Sequence, residues 1–79
     1  MTYALYYYDS CPFCQMVLRV LPSVKVDVEK RNVLQNREFR AEQLEATGKT
    51  QVPCLRIDDG SKVQWMYESA DIVRFLKSV

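Results

Sequence analysis

Two hydrophobic periods alternate along this chain. Tyr3 to Tyr8 is an almost unbroken aromatic and apolar run, too continuous for a strand with one wet face, so it predicts a central strand. From Cys14 the period changes. Cys14, Val17, Leu18 and Leu21 recur at i, i+3, i+4 and i+7 and mark one buried helical face. Pro12 fits the first turn of that helix, where a missing N–H costs nothing, and Pro22 ends it. Val24, Val26 and Val28 alternate with Lys25 and Asp27, the pattern of a short half-buried strand.

The segment from Leu34 to Ala46 is rich in polar helix formers, with only Phe39 and Leu44 as a weak apolar face, and Gly48 is placed to stop it. Pro53 to Ile57 reads as a third strand. Asp59-Gly60 signals a hairpin turn, and Lys62 to Met66 is the returning strand. Ser69 then caps a last helix, with Asp71 in its first turn and Ile72, Val73 and Leu76 facing inward. The predicted order is β-α-β-α-β-β-α, an α/β domain. The first βαβ unit should be right-handed with parallel strands, and the hairpin adds an antiparallel pair. A four-stranded mixed sheet with three helices on its faces follows.

Composition narrows the function classes. At 79 residues the chain is one domain, 1–79, and with 48% hydrophobic residues it can build a core. A net charge of +1 gives no one-signed field for nucleic acid or an acidic membrane. No basic leader followed by an apolar run, and no stretch of membrane-spanning length, is expected to act as a signal or anchor. Three cysteines is an odd count, which favours a reducing compartment over a disulfide-stapled secreted domain. A soluble cytoplasmic protein, monomeric, is the expectation.

Cys11 and Cys14 carry the candidate chemistry. They stand two residues apart where the first strand gives way to the first helix. A Cys-x-x-Cys in a βαβ context reads as a redox dithiol. Unpaired N–H groups and the positive end of the helix dipole face a sulfur at that point, and such a setting favours the thiolate that attacks disulfides. Cys14 lies on the buried stripe, within reach of Cys11 yet shielded. The asymmetry suggests Cys11 as nucleophile and Cys14 as resolving thiol. Zinc needs about four N or S ligands; with no histidine and one further cysteine, Cys54, no metal is expected. A pair of inert buried thiols would suit Cys14 but not Cys11 beside Pro12.

Cys11-Pro12-Phe13-Cys14 after a strand, Gln51-Val52-Pro53 before a strand, and Glu68-Ser69 opening the last helix together resemble a glutaredoxin, in the expected order over essentially the whole chain. Tyr67 to Val73 is similar to the N-terminal, glutathione-binding domain of glutathione transferases and of transferase-like glutaredoxins, a domain expected here to stand alone. The resemblance implies a thioredoxin-like fold. It also implies a glutathione-dependent thiol–disulfide oxidoreductase serving electron transport and cell redox homeostasis. Glutathione would be its co-substrate, and disulfide-containing or glutathionylated proteins its partners. By the same resemblance, Pro53 is the family's cis-proline, leaving the Val52 backbone free to pair with the cysteinyl part of glutathione. Glu68 would take the γ-glutamyl ammonium, Ser69 and the helix N-terminus its carboxylate, and Phe13 would line the groove. Arg37, Arg40 and Lys49 are candidates for the glycine carboxylate.

Some positions depart from the family pattern. The lysine many glutaredoxins carry before the first cysteine is replaced by Tyr8-Asp9-Ser10, and an anion at Asp9 would disfavour the Cys11 thiolate at close approach. The usual Gly-Gly before the last helix is replaced by Trp65-Met66-Tyr67, which favours the transferase-like branch. Cys54 is expected as a buried small hydrophobe, with a regulatory disulfide as the alternative. Two other readings keep the fold. One is a glutaredoxin-like protein reduced by thioredoxin reductase, against which Glu68-Ser69 argues. The other is a carrier in which Cys11 from two chains and two glutathiones hold a [2Fe–2S] cluster, against which Pro12 and Cys14 argue. A purely docking domain ranks last.

Overall fold

A computed structural model describes residues 1–79. Four strands, β1 (Thr2–Tyr7), β2 (Val28–Asn32), β3 (Cys54–Asp58) and β4 (Val63–Met66), form one sheet in the order β2-β1-β3-β4. Strands β1 and β2 run parallel, and the other two pairings are antiparallel. Three helices, α1 (Pro12–Val20), α2 (Arg37–Thr47) and α3 (Ser69–Ser78), complete the β-α-β-α-β-β-α order, with a 3₁₀ turn at Leu21–Ser23 after α1. No helix is long and apolar enough to cross a membrane.

Strand β1 is central because its side chains serve both faces of the sheet. Tyr3 and Leu5 point to one face, where they pack with Val17 of α1, Leu55 and Ile57 of β3, and Ile72 and Leu76 of α3. Ala4 and Tyr6 point to the other, with Val33 and Cys54, under Phe39 of α2 and beside Trp65 and Tyr67. The first face carries the larger apolar cluster. The second is more polar. The buried Tyr6 hydroxyl accepts from Arg31 Nη1 (2.7 Å) and donates to Glu42 Oε1 (3.0 Å), and the Arg31 guanidinium lies over both the Tyr6 and Phe39 rings.

The second strand corrects the sequence expectation. It spans Val28–Asn32 rather than Val24 to Val28, and its register begins where Val28 meets Tyr3. Val24 and Val26 are half-buried against the first core but stand outside the ladder, in a bent lead-in. The strand itself is polar because it is the sheet edge, and its inward cover comes from the Arg31 stem and the buried Asn32.

Helix α2 starts later than the expected Leu34, because Asn36 caps it by accepting from the Glu38 N–H. Ahead of it, the Asn32 Oδ1 accepts from the amides of Leu34 and Gln35. Its inward residue is Gln43, fully buried, whereas Leu44 is half exposed. Gly48 ends it in the left-handed region at φ 75°. In the hairpin, Asp59 Oδ1 accepts from the Ser61 and Lys62 amides, so β4 begins at Val63, one residue after the expected start. Glu68, not Ser69, occupies the cap position of α3; Ser69 is its first helical residue. Pro22 sits inside the 3₁₀ turn, since α1 has already ended at Val20.

Candidate active site

Topology brings three separated segments to one end of the sheet. Strand β1 ends at Tyr7; β3, antiparallel to it, begins with Cys54 opposite Tyr6; and β4 ends with Met66 opposite Leu55. The Cys11 loop, the Val52-Pro53 segment and the Tyr67-Glu68-Ser69 entry to α3 therefore meet there. Val52, Tyr8 and Tyr67 all pack on the same small cluster of Ala4, Tyr6, Val33 and Cys54.

Cys11 is the N-cap of α1, with extended backbone (φ −86°, ψ 116°) and Pro12 in the first turn behind it. Its sulfur accepts a hydrogen bond from the Cys14 amide at 3.2 Å. This is the geometry of a capping side chain, with sulfur where Ser or Asp oxygen usually sits. The loop that presents Cys11 is pinned on several sides. The Cys11 N–H bonds the Tyr8 carbonyl, Gln15 Nε2 donates to the Asp9 carbonyl (2.8 Å), and the Val33 N–H donates to Tyr7 (2.9 Å). The Asp9 carboxylate faces the Asn32 amide, its Oδ2 accepting from Nδ2 at 3.4 Å.

All three cysteines are free thiols. Cys14 and Cys54 are fully buried, and Cys11 is only 5% exposed, more enclosed than its position at an open helix start suggested. Phe13, 61% exposed, stands beside it on the surface. Burial first, and then the hydrogen bond with Cys11, pushes the Cys14 thiol well above its ordinary value. Cys54 is pushed up to about 12 by burial, against weaker opposing hydrogen bonds from Gln43 and Tyr67.

The second wall is Val52-Pro53, joined by a cis peptide bond. Pro53 is buried and Val52 half-buried, and no backbone hydrogen bond within the chain engages Val52. The third wall is the start of α3. Its first intrahelical bond runs from the Ile72 N–H to the Glu68 carbonyl (2.8 Å), which leaves the amides of Ser69, Ala70 and Asp71 open. The Glu68 side chain is exposed. Of the three candidate cations, Lys49 is the one the structure ties to this end, its ammonium 5.1 Å from the Tyr67 ring centroid. Arg37 and Arg40 are exposed on the first turn of α2.

No group of three or more Cys, Asp or Glu side chains is arranged to hold a metal ion. A cavity of about 580 Å³ lies elsewhere, between α2 and the sheet, lined by Tyr6, Arg31, Glu42, Arg56 and Trp65 among others, and it includes neither cysteine of the pair. The thiols thus lie at the sheet end, apart from that cavity. Sequence reasoning missed Asn32 and Gln43, two polar side chains that fold inward; an Asn able to accept from amides two and three residues on, ahead of a helix, was the available signal for the first.

With this geometry in place, comparison with known proteins is informative. The glutaredoxin family profile matches residues 3–61. The chain belongs to the glutaredoxin family. No curated protein matches the chain. Among solved structures, a trimeric glutathione transferase of Leishmania superposes with a TM-score of 0.75 at 25% identity, covering 98% of this chain but 17% of its own. The epsilon-class glutathione S-transferase of the housefly Musca domestica gives 0.70 at 23% identity, covering 98% of this chain and 34% of its own. Glutathione transferase E6 of Drosophila melanogaster gives 0.68 at 25% identity, with the same coverage of 98% and 34%. This glutaredoxin-family chain therefore spans about a third or less of the lengths of these proteins, and its fold is thioredoxin-like.

Proposed function

We propose that this domain is a glutathione-dependent thiol–disulfide oxidoreductase acting through Cys11 and Cys14. The observation that carries the reading is the capping geometry of Cys11: its sulfur takes the Cys14 amide at the start of α1, the setting in which a thiolate is held by backbone donors. Family membership supports it. In the first half-reaction the Cys11 thiolate attacks the glutathionyl sulfur of a mixed disulfide. The old S–S bond breaks, the target leaves as a thiolate that takes up a proton, and Cys11 becomes glutathionylated. A second glutathione, as thiolate, attacks that adduct, releasing oxidised glutathione and restoring Cys11.

For a protein disulfide, Cys11 instead forms a mixed disulfide with one protein sulfur. Cys14 loses its proton and attacks the Cys11 sulfur, the substrate thiol leaves, and a Cys11–Cys14 disulfide closes; two glutathiones reopen it. Because burial keeps Cys14 protonated at neutral pH, closure should quicken as pH rises, while the Cys11–glutathione route does not depend on it. Glutathione would lie along the groove. The open Val52 backbone would pair with its cysteinyl part, Pro53 and Phe13 would flank it, Glu68 would hold the ammonium, and Ser69 with the open α3 amides would hold the γ-glutamyl carboxylate. Among Arg37, Arg40 and Lys49, the contact of Lys49 with Tyr67 supports it as the one that would take the glycine carboxylate. Such chemistry needs a reducing compartment, which favours the cytoplasm.

The test is adduct trapping. Cys14→Ser treated with oxidised glutathione should gain one glutathione, mapped by peptide mass spectrometry to Cys11, and dithiothreitol should remove it. An adduct on Cys54, or none on the folded protein, would overturn the assignment.

A further inference from the structure

Gln43 is the one buried residue of α2, and it is polar. Its Nε2 donates to the Gln51 carbonyl at 2.6 Å, while its Oε1 is buried with no hydrogen-bond partner. For packing alone this is a poor choice. A leucine in the same slot would leave no orphaned oxygen, and the Gln51 carbonyl, on an exposed residue, would be served by water.

What the amide does is fix a segment that has little else to hold it. After the Gly48 N–H bonds Leu44, no backbone–backbone hydrogen bond engages residues 49 to 53. The loop is instead tied to α2 by two side chains. Thr47 accepts from the Lys49 N–H (3.1 Å) and donates to the Gln43 carbonyl (2.8 Å), and Gln43 itself grips Gln51, the residue before Val52-Pro53. Gln43 also reaches the Cys54 thiol on the far side of the proline. Gln43 and Thr47 thus hold the backbone that leads into the Val52-Pro53 unit.

We propose that Gln43 is a positioning residue for glutathione, holding the Val52 backbone edge in the register the ligand pairs with. The proposal rests on the oxidoreductase reading above. A strand-addition contact is sensitive to the placement of its edge, because donor and acceptor must both stay within hydrogen-bonding distance. Gln43 makes no contact with the reacting sulfurs of its own pair and acts through Gln51.

The test uses S-methylglutathione, which cannot exchange disulfides, with calorimetric binding to the native protein, Gln43→Leu and Gln43→Met. Methionine is the second variant because its unbranched chain fits irregular slots. In both variants the dissociation constant should rise about tenfold. The Gln51 and Val52 amides should exchange hydrogen faster, the thermal midpoint should stay or rise, and the iodoacetamide alkylation rate of Cys11 should be unchanged. Native binding with both variants within about twofold of it would overturn the role of Gln43 alone. Failure of both variants to fold would do the same, since Gln43 would then be holding the core. If the native protein does not bind, the glutathione reading falls and this role falls with it.

Discussion

At the scale of single residues, the three thiols differ through their surroundings alone. Cys14 and Cys54 are fully buried and their thiol pKa values are pushed up, while Cys11 caps a helix and accepts a backbone N–H. Iodoacetamide at pH 7 should therefore label the reduced native protein at Cys11 only, with Cys14 and Cys54 appearing in peptide maps after denaturation; early labelling of Cys54 would contradict its burial. The same shifts set a pH dependence of stability. The Cys54 thiol, ordinarily at 9.0, lies at about 12 in the fold, so between those values the unfolded chain sheds a proton that the folded chain keeps. Stability is unaffected below pH 9 and falls above it, by up to about 1.4 kcal/mol per pH unit for each such thiol. Urea titrations at pH 8 and 10.5 should show the fall, and Cys54→Ala should make it shallower. The cysteine spacing announced Cys11 and Cys14 in the sequence. Gln43 and Asn32 were not legible, because a polar residue in a polar segment carries no mark of facing inward.

Among the elements, periodicity located what packing decides and missed what pairing decides. Helices α1 and α3 bury the stripes their sequences display, Val17 on one and Ile72 with Leu76 on the other. Leu76→Ala should cost about 2–5 kcal/mol in denaturant unfolding, as expected for a filled core site; a loss under about 1 kcal/mol would show that α3 is not held by that stripe. Strand β2 lies C-terminal to the position its sequence suggests, because the Val24-Val26-Val28 alternation is the apolar pattern in its neighbourhood. The true edge strand is polar, and its register is set by hydrogen bonds to β1 that leave no hydrophobic trace. Helix α2 shows the same limit, its start fixed by the Asn36 cap rather than by Leu34. Asn36→Ala should cost about 1 kcal/mol, measurable in the same titrations.

For the molecule as a whole, a mixed sheet with one central strand gathers the ends of β1 and β4 and the start of β3 at one end of the sheet. Segments some forty residues apart thus become walls of one groove. That convergence was readable in outline, because the order of the motifs dictates the topology. The groove's finer shape was not, because it depends on how the 49–53 loop hangs from α2. The other cavity, under α2, is filled out by an Arg31–Tyr6–Glu42 network that closes the thin second core with polar contacts.

In the proposed function Cys11 carries out glutathione-dependent disulfide exchange, with Cys14 as a separable partner. Reduction of a small glutathione mixed disulfide, coupled to glutathione reductase, tests it in the native protein, Cys11→Ser and Cys14→Ser. Activity is expected in the native protein, a loss of about a hundredfold or more in Cys11→Ser, and retained turnover in Cys14→Ser. A folded native protein without turnover, or a Cys11→Ser variant that keeps it, would contradict the account.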